Sequence, residues 1–136
     1  MKRFPFTIIV LFLLVSPLKT FAAGPVQLVQ GKCPEGDRIS NTSFDKKLSS
    51  QATIFLSGLM ANKQDVKTWQ VLTIAPLKKN SNYYSPAVKT CKQRIADNSY
   101  LIDVLVTMQT GHLPYRMHLF ATKDKKKWTI WGLTSY

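Results

Sequence analysis

Between Tyr100 and Met108 the chain alternates: Tyr100, Ile102, Val104, Val106 and Met108 fall on one side, and Leu101, Asp103, Leu105 and Thr107 on the other. A period of two belongs to a strand, whose successive side chains point to opposite faces. After the turn composition Gln109-Thr110-Gly111-His112, a second strand places Tyr115, Met117, Leu119 and Ala121 on one side and Arg116, His118 and Phe120 on the other. A tight turn through Lys123-Asp124-Lys125 leads into a closing strand, expected to carry Trp128 and Ile130 on one face and Trp131 and Leu133 on the other. Three strands with short connections predict an antiparallel meander.

Upstream the period changes. Phe44, Leu48, Ala52, Phe55, Leu56, Leu59 and Met60 recur at spacings of three and four, the signature of one apolar helical stripe. Lys46, Lys47, Ser50 and Gln51 take the polar side. Asn41, Thr42 or Ser43 can cap the first amides, Asp45 suits the positive end of the dipole, and the helix should end near Asn62. A stripe of this length needs a surface to cover, and the meander supplies one.

The stretch Val66 to Leu77 is ambiguous. Trp69, Val71, Leu72 and Ile74 suit a mostly buried strand, while Val66, Trp69 and Thr73 also fit a short helix. Strand propensity favours the first reading, and Pro76 stops either. Lys78 to Tyr84 has loop composition. Ser85-Pro86 then reads as a helix start, with Val88, Cys91 and Ile95 as its apolar line and Asp97-Asn98 as its end. The predicted fold class is therefore α+β, an N-terminal helix packed on an antiparallel meander.

The first residues change the picture of where such a domain works. Lys2 and Arg3 precede the apolar run Phe4 to Val15, and Thr20-Phe21-Ala22-Ala23 offers small residues for a cut. These are the three parts of a secretory signal peptide, here residues 1–23, leaving 24–136 as a single small domain. The apolar run is shorter than the ~20 residues of a spanning helix, and nothing later is long enough to span. Three of the 19 Lys and Arg residues leave with the leader and all 7 acids stay, so the mature domain is strongly basic. Gly24 to Asn41, with two prolines and three glycines, reads as an extended lead-in.

The chain has 2 cysteines, Cys33 and Cys91. In an oxidising compartment a lone pair forms one structural disulfide, here one that pins the lead-in to the body. Neither CxxC spacing nor a neighbouring His supports a metal or redox role.

The element order, with the ending Lys127-Trp128-Thr129-Ile130-Trp131-Gly132-Leu133, resembles the cystatin-like and NTF2-like superfolds. Many NTF2-like domains close on a strand with Trp near its start and Gly after it. The resemblance covers residues 98–136 and, loosely, 43–62. It implies a helix lying on a curved antiparallel sheet. The middle departs from it, because NTF2-like domains carry more helix before the sheet.

Candidate chemistry is sparse. Asp103, Arg116 and His118 project from one face of the meander, with Phe120 and Trp131 as neighbours. An Asp and a His there can act as base and acid, and enzymes resembling this fold work in that way. The alternative is a cross-strand charge pair of small energetic consequence. Two histidines, a single Glu35 and no ligand spacing give no metal site, and no cofactor motif is present.

The basic surface is the strongest physical signal. Lys123, Lys125, Lys126 and Lys127 crowd one turn; Lys78 and Lys79 occupy another, beside Tyr83 and Tyr84. Such charge steers acidic partners and favours anionic surfaces. Basic residues beside aromatics also suit single-stranded nucleic acid, but export argues against that partner. With Arg116 and Trp131, these residues form the candidate interaction set. The resulting expectation is an exported, non-enzymatic binding or accessory protein of a bacterial periplasm or secreted space. Its partner would be an envelope or secreted protein, by analogy with periplasmic domains of secretion assemblies. Two alternatives belong to other classes: a small-ligand-binding or NTF2-like enzyme using Asp103 and His118, and a secreted toxin, effector or immunity protein.

Overall fold

A computed structural model describes residues 27–28, 33–35 and 46–135. The leader, the caps at Asn41 to Ser43, Phe44 and Asp45 lie outside the described residues. In chain order the elements are β1 (Gln27–Leu28), α1 (Lys46–Met60), β2 (Val66–Pro76), α2 (Tyr84–Cys91), α3 (Gln93–Asp97), β3 (Ser99–Met108), β4 (Tyr115–Asp124) and β5 (Lys127–Ser135). The strands form one antiparallel sheet in the order β1-β5-β4-β3-β2. The class is α+β, with the Cys33–Cys91 disulfide closed.

The helical stripe is buried as its spacing requires. Leu48, Ala52, Leu56 and Met60 pack on Tyr100, Ile102, Val104 and Val106 of β3 and on Met117, Leu119 and Ala121 of β4. Fully burying a side chain of the Val, Leu or Ile kind stabilises by about 1.5–3 kcal/mol relative to exposure, so this layer is a main source of fold stability. Lys46, Lys47, Ser50 and Gln51 remain exposed on the outer side of α1.

The opposite face of the sheet carries a second core. Ala87 and Cys91 of α2 and Ile95 and Ala96 of α3 pack with Leu77, Phe120 and Trp131, and Leu101 and Cys33 border them. The Trp131 indole N–H donates to Ser99 Oγ at 3.0 Å, and that hydroxyl donates to the Ile95 carbonyl at 2.6 Å. Thr122 Oγ1 donates to the Asn98 carbonyl at 2.9 Å. These bonds satisfy buried polar groups that burial would otherwise penalise.

Three local expectations are corrected. Leu133 lies on the α1 face with Trp128 and Ile130, not with Trp131. The reason is a bulge: Phe120 opposes Gly132 while Ala121 opposes Ile130, so Trp131 is an extra residue and the alternation shifts by one. Within 66–77, residues Val66–Pro76 do form a strand, β2, but at the edge of the described sheet rather than mostly buried. Val66, Trp69, Val71 and Ile74 face the first core, while Lys67, Thr68, Gln70, Leu72 and Thr73 are exposed. Two register shifts, around Lys67 and Leu72, interrupt its ladder to β3. The third correction concerns the segment after Ser85, which is two helices rather than one. Lys92 takes φ 68° and breaks the run, its N–H still bonding the Val88 carbonyl at 2.9 Å.

Candidate functional site

The β3–β4 register sets Asp103 directly opposite His118 and Leu105 opposite Arg116. Arg116 is thus the diagonal neighbour of Asp103 on the same face, within reach of a long side chain. Asp103 Oδ1 lies 3.5 Å from His118 Nε2, and Asp103 Oδ2 lies 3.5 Å from Arg116 Nη2. The carboxylate therefore stands between an exposed guanidinium and an imidazole that is only 6% exposed.

Tyr83, from the turn that opens α2, completes the group. Its hydroxyl is 3.3 Å from His118 Nε2, and the two ring centroids are 4.5 Å apart. On its other side Tyr83 meets Phe120 edge-on at 6.3 Å. With the proton on Nδ1, Tyr83 donates to Nε2; with the proton on Nε2, the imidazole donates toward the phenol and Asp103. Burial holds the His118 pKa below its ordinary 6.5; Arg116 acts in the same direction and the Asp103 charge opposes both. The imidazole is therefore neutral at pH 7.

As chemistry, this arrangement has a base-like residue and a carboxylate, but both face inward. Of the two ring nitrogens of His118, Nε2 is directed at Tyr83 and Asp103 and Nδ1 is buried, while the Tyr83 ring lies tilted against the imidazole. General acid–base catalysis needs the acting atom within hydrogen-bond reach of the reacting group. Here Tyr83 would have to move first.

The other candidates fall in three places. Trp131 is 1% exposed and belongs to the second core, so it is no surface anchor. Tyr84 donates its hydroxyl to Asp97 Oδ1 at 2.5 Å, and Lys79 Nζ is 3.5 Å from the same oxygen. That contact joins the Lys78–Lys79 turn to the end of α3, and the hydrogen bond with Asp97 raises the Tyr84 pKa.

Lys123, Lys125, Lys126 and Lys127 gather at the β4–β5 turn. Lys123 Nζ sits 5.6 Å from the Trp128 ring centroid, a cation–π distance. Lys125 and Lys126 form the turn itself, with φ 44° and 76°. Consecutive left-handed residues make the tight hairpin whose twist matches that of its strands, a position ordinarily given to Asn-Gly. Beside this turn lies a groove of about 400 Å³ lined by Lys126, Lys127 and Trp128 together with Lys47 and Gln51 of α1. Sequence reasoning placed Lys47 and Gln51 on a polar helix face and missed their meeting with the hairpin. No local signal connects residues so far apart, and only the packing of α1 across the sheet brings them together.

Among the described residues no group of three His, Cys, Asp or Glu gathers as a metal site, and no helix is long and apolar enough to cross a membrane. No protein-family model, no curated protein and no solved structure matches the chain.

Proposed function

We propose that the chain is an exported, non-enzymatic binding protein of the bacterial envelope, contacting a protein partner through the sheet face beside Asp103. The observation that carries this reading is the uneven cover of that face. The α2–α3 layer packs over Leu101, Phe120 and Trp131. Farther along, Gln70, Thr73 and Arg116 are exposed and Leu105 is half-buried. Their registers, Gln70 with Leu105 and Thr73 with Asp103, put these groups on one side. Closure of Tyr83 over His118 supports binding over catalysis. The disulfide and the leader-like N-terminus support a location outside the cytoplasm. A place in a secretion assembly is the finer version of the same proposal.

The test is a pull-down with the tagged, oxidised protein from envelope extract, washed across a salt gradient. A discrete protein retained at high salt, and lost when Gln70 and Thr73 are both changed to Arg, supports the sheet contact. Release of everything at moderate salt, or retention unaffected by the two substitutions, overturns it.

A further inference from the structure

β2 ends the described sheet. Its ladder runs to β3 alone, and no other described strand pairs with it. An antiparallel strand bonded on one side leaves about half of its N–H and C=O groups directed outward, a template for another chain. Proteins ordinarily blunt such an edge by keeping it short or by setting charge and proline along it. β2 is 11 residues long, about twice the usual strand. Its one charge, Lys67, stands near the start and Pro76 at the end, so Thr68 to Ala75 carries neither charge nor proline. Thr, Trp, Val and Ile in that stretch are strong strand formers. The edge is thus open where pairing is easiest.

Beside the same edge lies a groove of about 470 Å³, between Ser57, Met60 and Ala61 on the α1 side and Val66 to Trp69 of β2. Met60, Val66 and Trp69 give it apolar walls, and exposed Lys67 supplies an ammonium. Asp65, the acid of this segment, does not line the groove; its charge acts on Tyr115, whose pKa burial and that charge raise. A strand laid along β2 sends alternate side chains to the α1 side of the sheet, where this groove takes one. We propose that the outer edge of β2 receives an extended segment of another protein as an added strand, with an apolar side chain in the groove and an acidic residue against Lys67. A second copy of the chain fits less well. Each copy brings its own register shifts around Lys67 and Leu72, so two such edges twist away from one another, whereas an extended segment follows the twist. The excess of 19 Lys and Arg over 7 acids also sets copies against each other and favours an acid-bearing segment. The edge offers backbone groups in the plane of the sheet. It therefore stands apart from the side-chain contact proposed on the face beside Asp103 and does not depend on it.

The experiment pans a phage library of random 11-residue peptides, matched to the length of β2, on the oxidised protein. Enriched sequences should alternate β-branched or aromatic residues with polar ones and carry Asp or Glu. A synthetic copy of the best binder is then followed by hydrogen exchange. At saturation it should slow exchange of outward β2 amides by about tenfold or more, with α2 amides unchanged. Lys67→Glu should weaken its Kd by about fivefold, while Lys78→Glu should leave it within about twofold. Backbone pairing has its own signature. N-methylation of alternate peptide residues should abolish binding for one set and spare it for the other, since only every second N–H faces β2.

Failure to enrich any peptide overturns the proposal. So does a binder that protects amides other than those of β2, one that tolerates both methylated sets, or one that Lys78→Glu weakens as much as Lys67→Glu does. Exchange that is already slow along the outer β2 edge of the free protein overturns it too. Protection that rises with protein concentration then assigns the edge to a second copy, and protection independent of concentration assigns it to the chain's own residues.

Discussion

The Trp131 indole N–H donates to the Ser99 hydroxyl at 3.0 Å inside the second core, linking β5 to the start of β3 across β4. Ser99 passes the connection on to the Ile95 carbonyl of α3 at 2.6 Å. One hydroxyl therefore satisfies an indole donor and holds the α2–α3 layer to the sheet. Ser99→Ala leaves the buried indole without this acceptor, and unsatisfied buried donors cost about 1–3 kcal/mol. Chemical denaturation should show that loss with an unchanged slope against denaturant, and a loss under 0.5 kcal/mol would remove this bond from the stabilising set.

The disulfide acts over a long span. Cys33 and Cys91 are separated by 58 residues in sequence. In the chain-entropy description, closing a loop of that length stabilises by about 4 kcal/mol. Cys33→Ser, or reduction of the native protein, should cost an amount of this order. The check is equilibrium unfolding with and without reductant, together with thiol titration, which should find no reactive thiol in the folded oxidised protein.

Acid should destabilise through His118. Its folded-state pKa lies below 6.5, so the neutral form is favoured by folding. The unfolded chain then binds more protons as the pH falls below about 6.5, the ordinary value for His. The stabilising contribution is full above that pH and is lost as pH drops through the folded-state value. The slope from this one group is at most about 1.4 kcal/mol per pH unit. Comparing native protein with His118→Phe between pH 5 and 8 should isolate it, and identical pH profiles would contradict the assignment.

Left-handed lysines should yield to residues suited to their backbone. Changing Lys125 to Asn together with Lys126 to Gly should stabilise by about 1–2 kcal/mol, because the native turn no longer strains a Cβ. Lys92, with φ 68° and ψ 159°, occupies a region that only glycine adopts easily. Lys92→Gly should also raise stability, by about 1 kcal/mol once the added freedom of the unfolded chain is set against the relief. Thermal melts of the two variants provide the check.

Legibility of the fold followed the strength of each period. The alternation of Tyr100 to Met108 and the stripe from Leu48 to Met60 led directly to β3 and α1, because each element has one buried face along its whole length. The register of Leu133 was lost to a single extra residue, Trp131, which no composition marks as a bulge. The break at Lys92 was hidden for a similar reason, since lysine gives no signal of a helix stop. β2 read ambiguously because its two irregularities disturb the alternation that an edge strand would otherwise display.

For the candidate site, the shared face of Asp103, Arg116 and His118 was legible from alternation alone, and their mutual reach needed the register. Tyr83 was not legible as the cover of His118. It comes from a loop 35 residues earlier, on a layer whose placement depends on the second core. The same holds for Lys47 at the basic groove.

The last described strand has a consequence for how the molecule comes into being. β5 lies between β1 and β4, and its Trp128 and Trp131 enter the two cores on opposite sides of the sheet. During vectorial synthesis, neither core can close until β5 has emerged to supply its tryptophan.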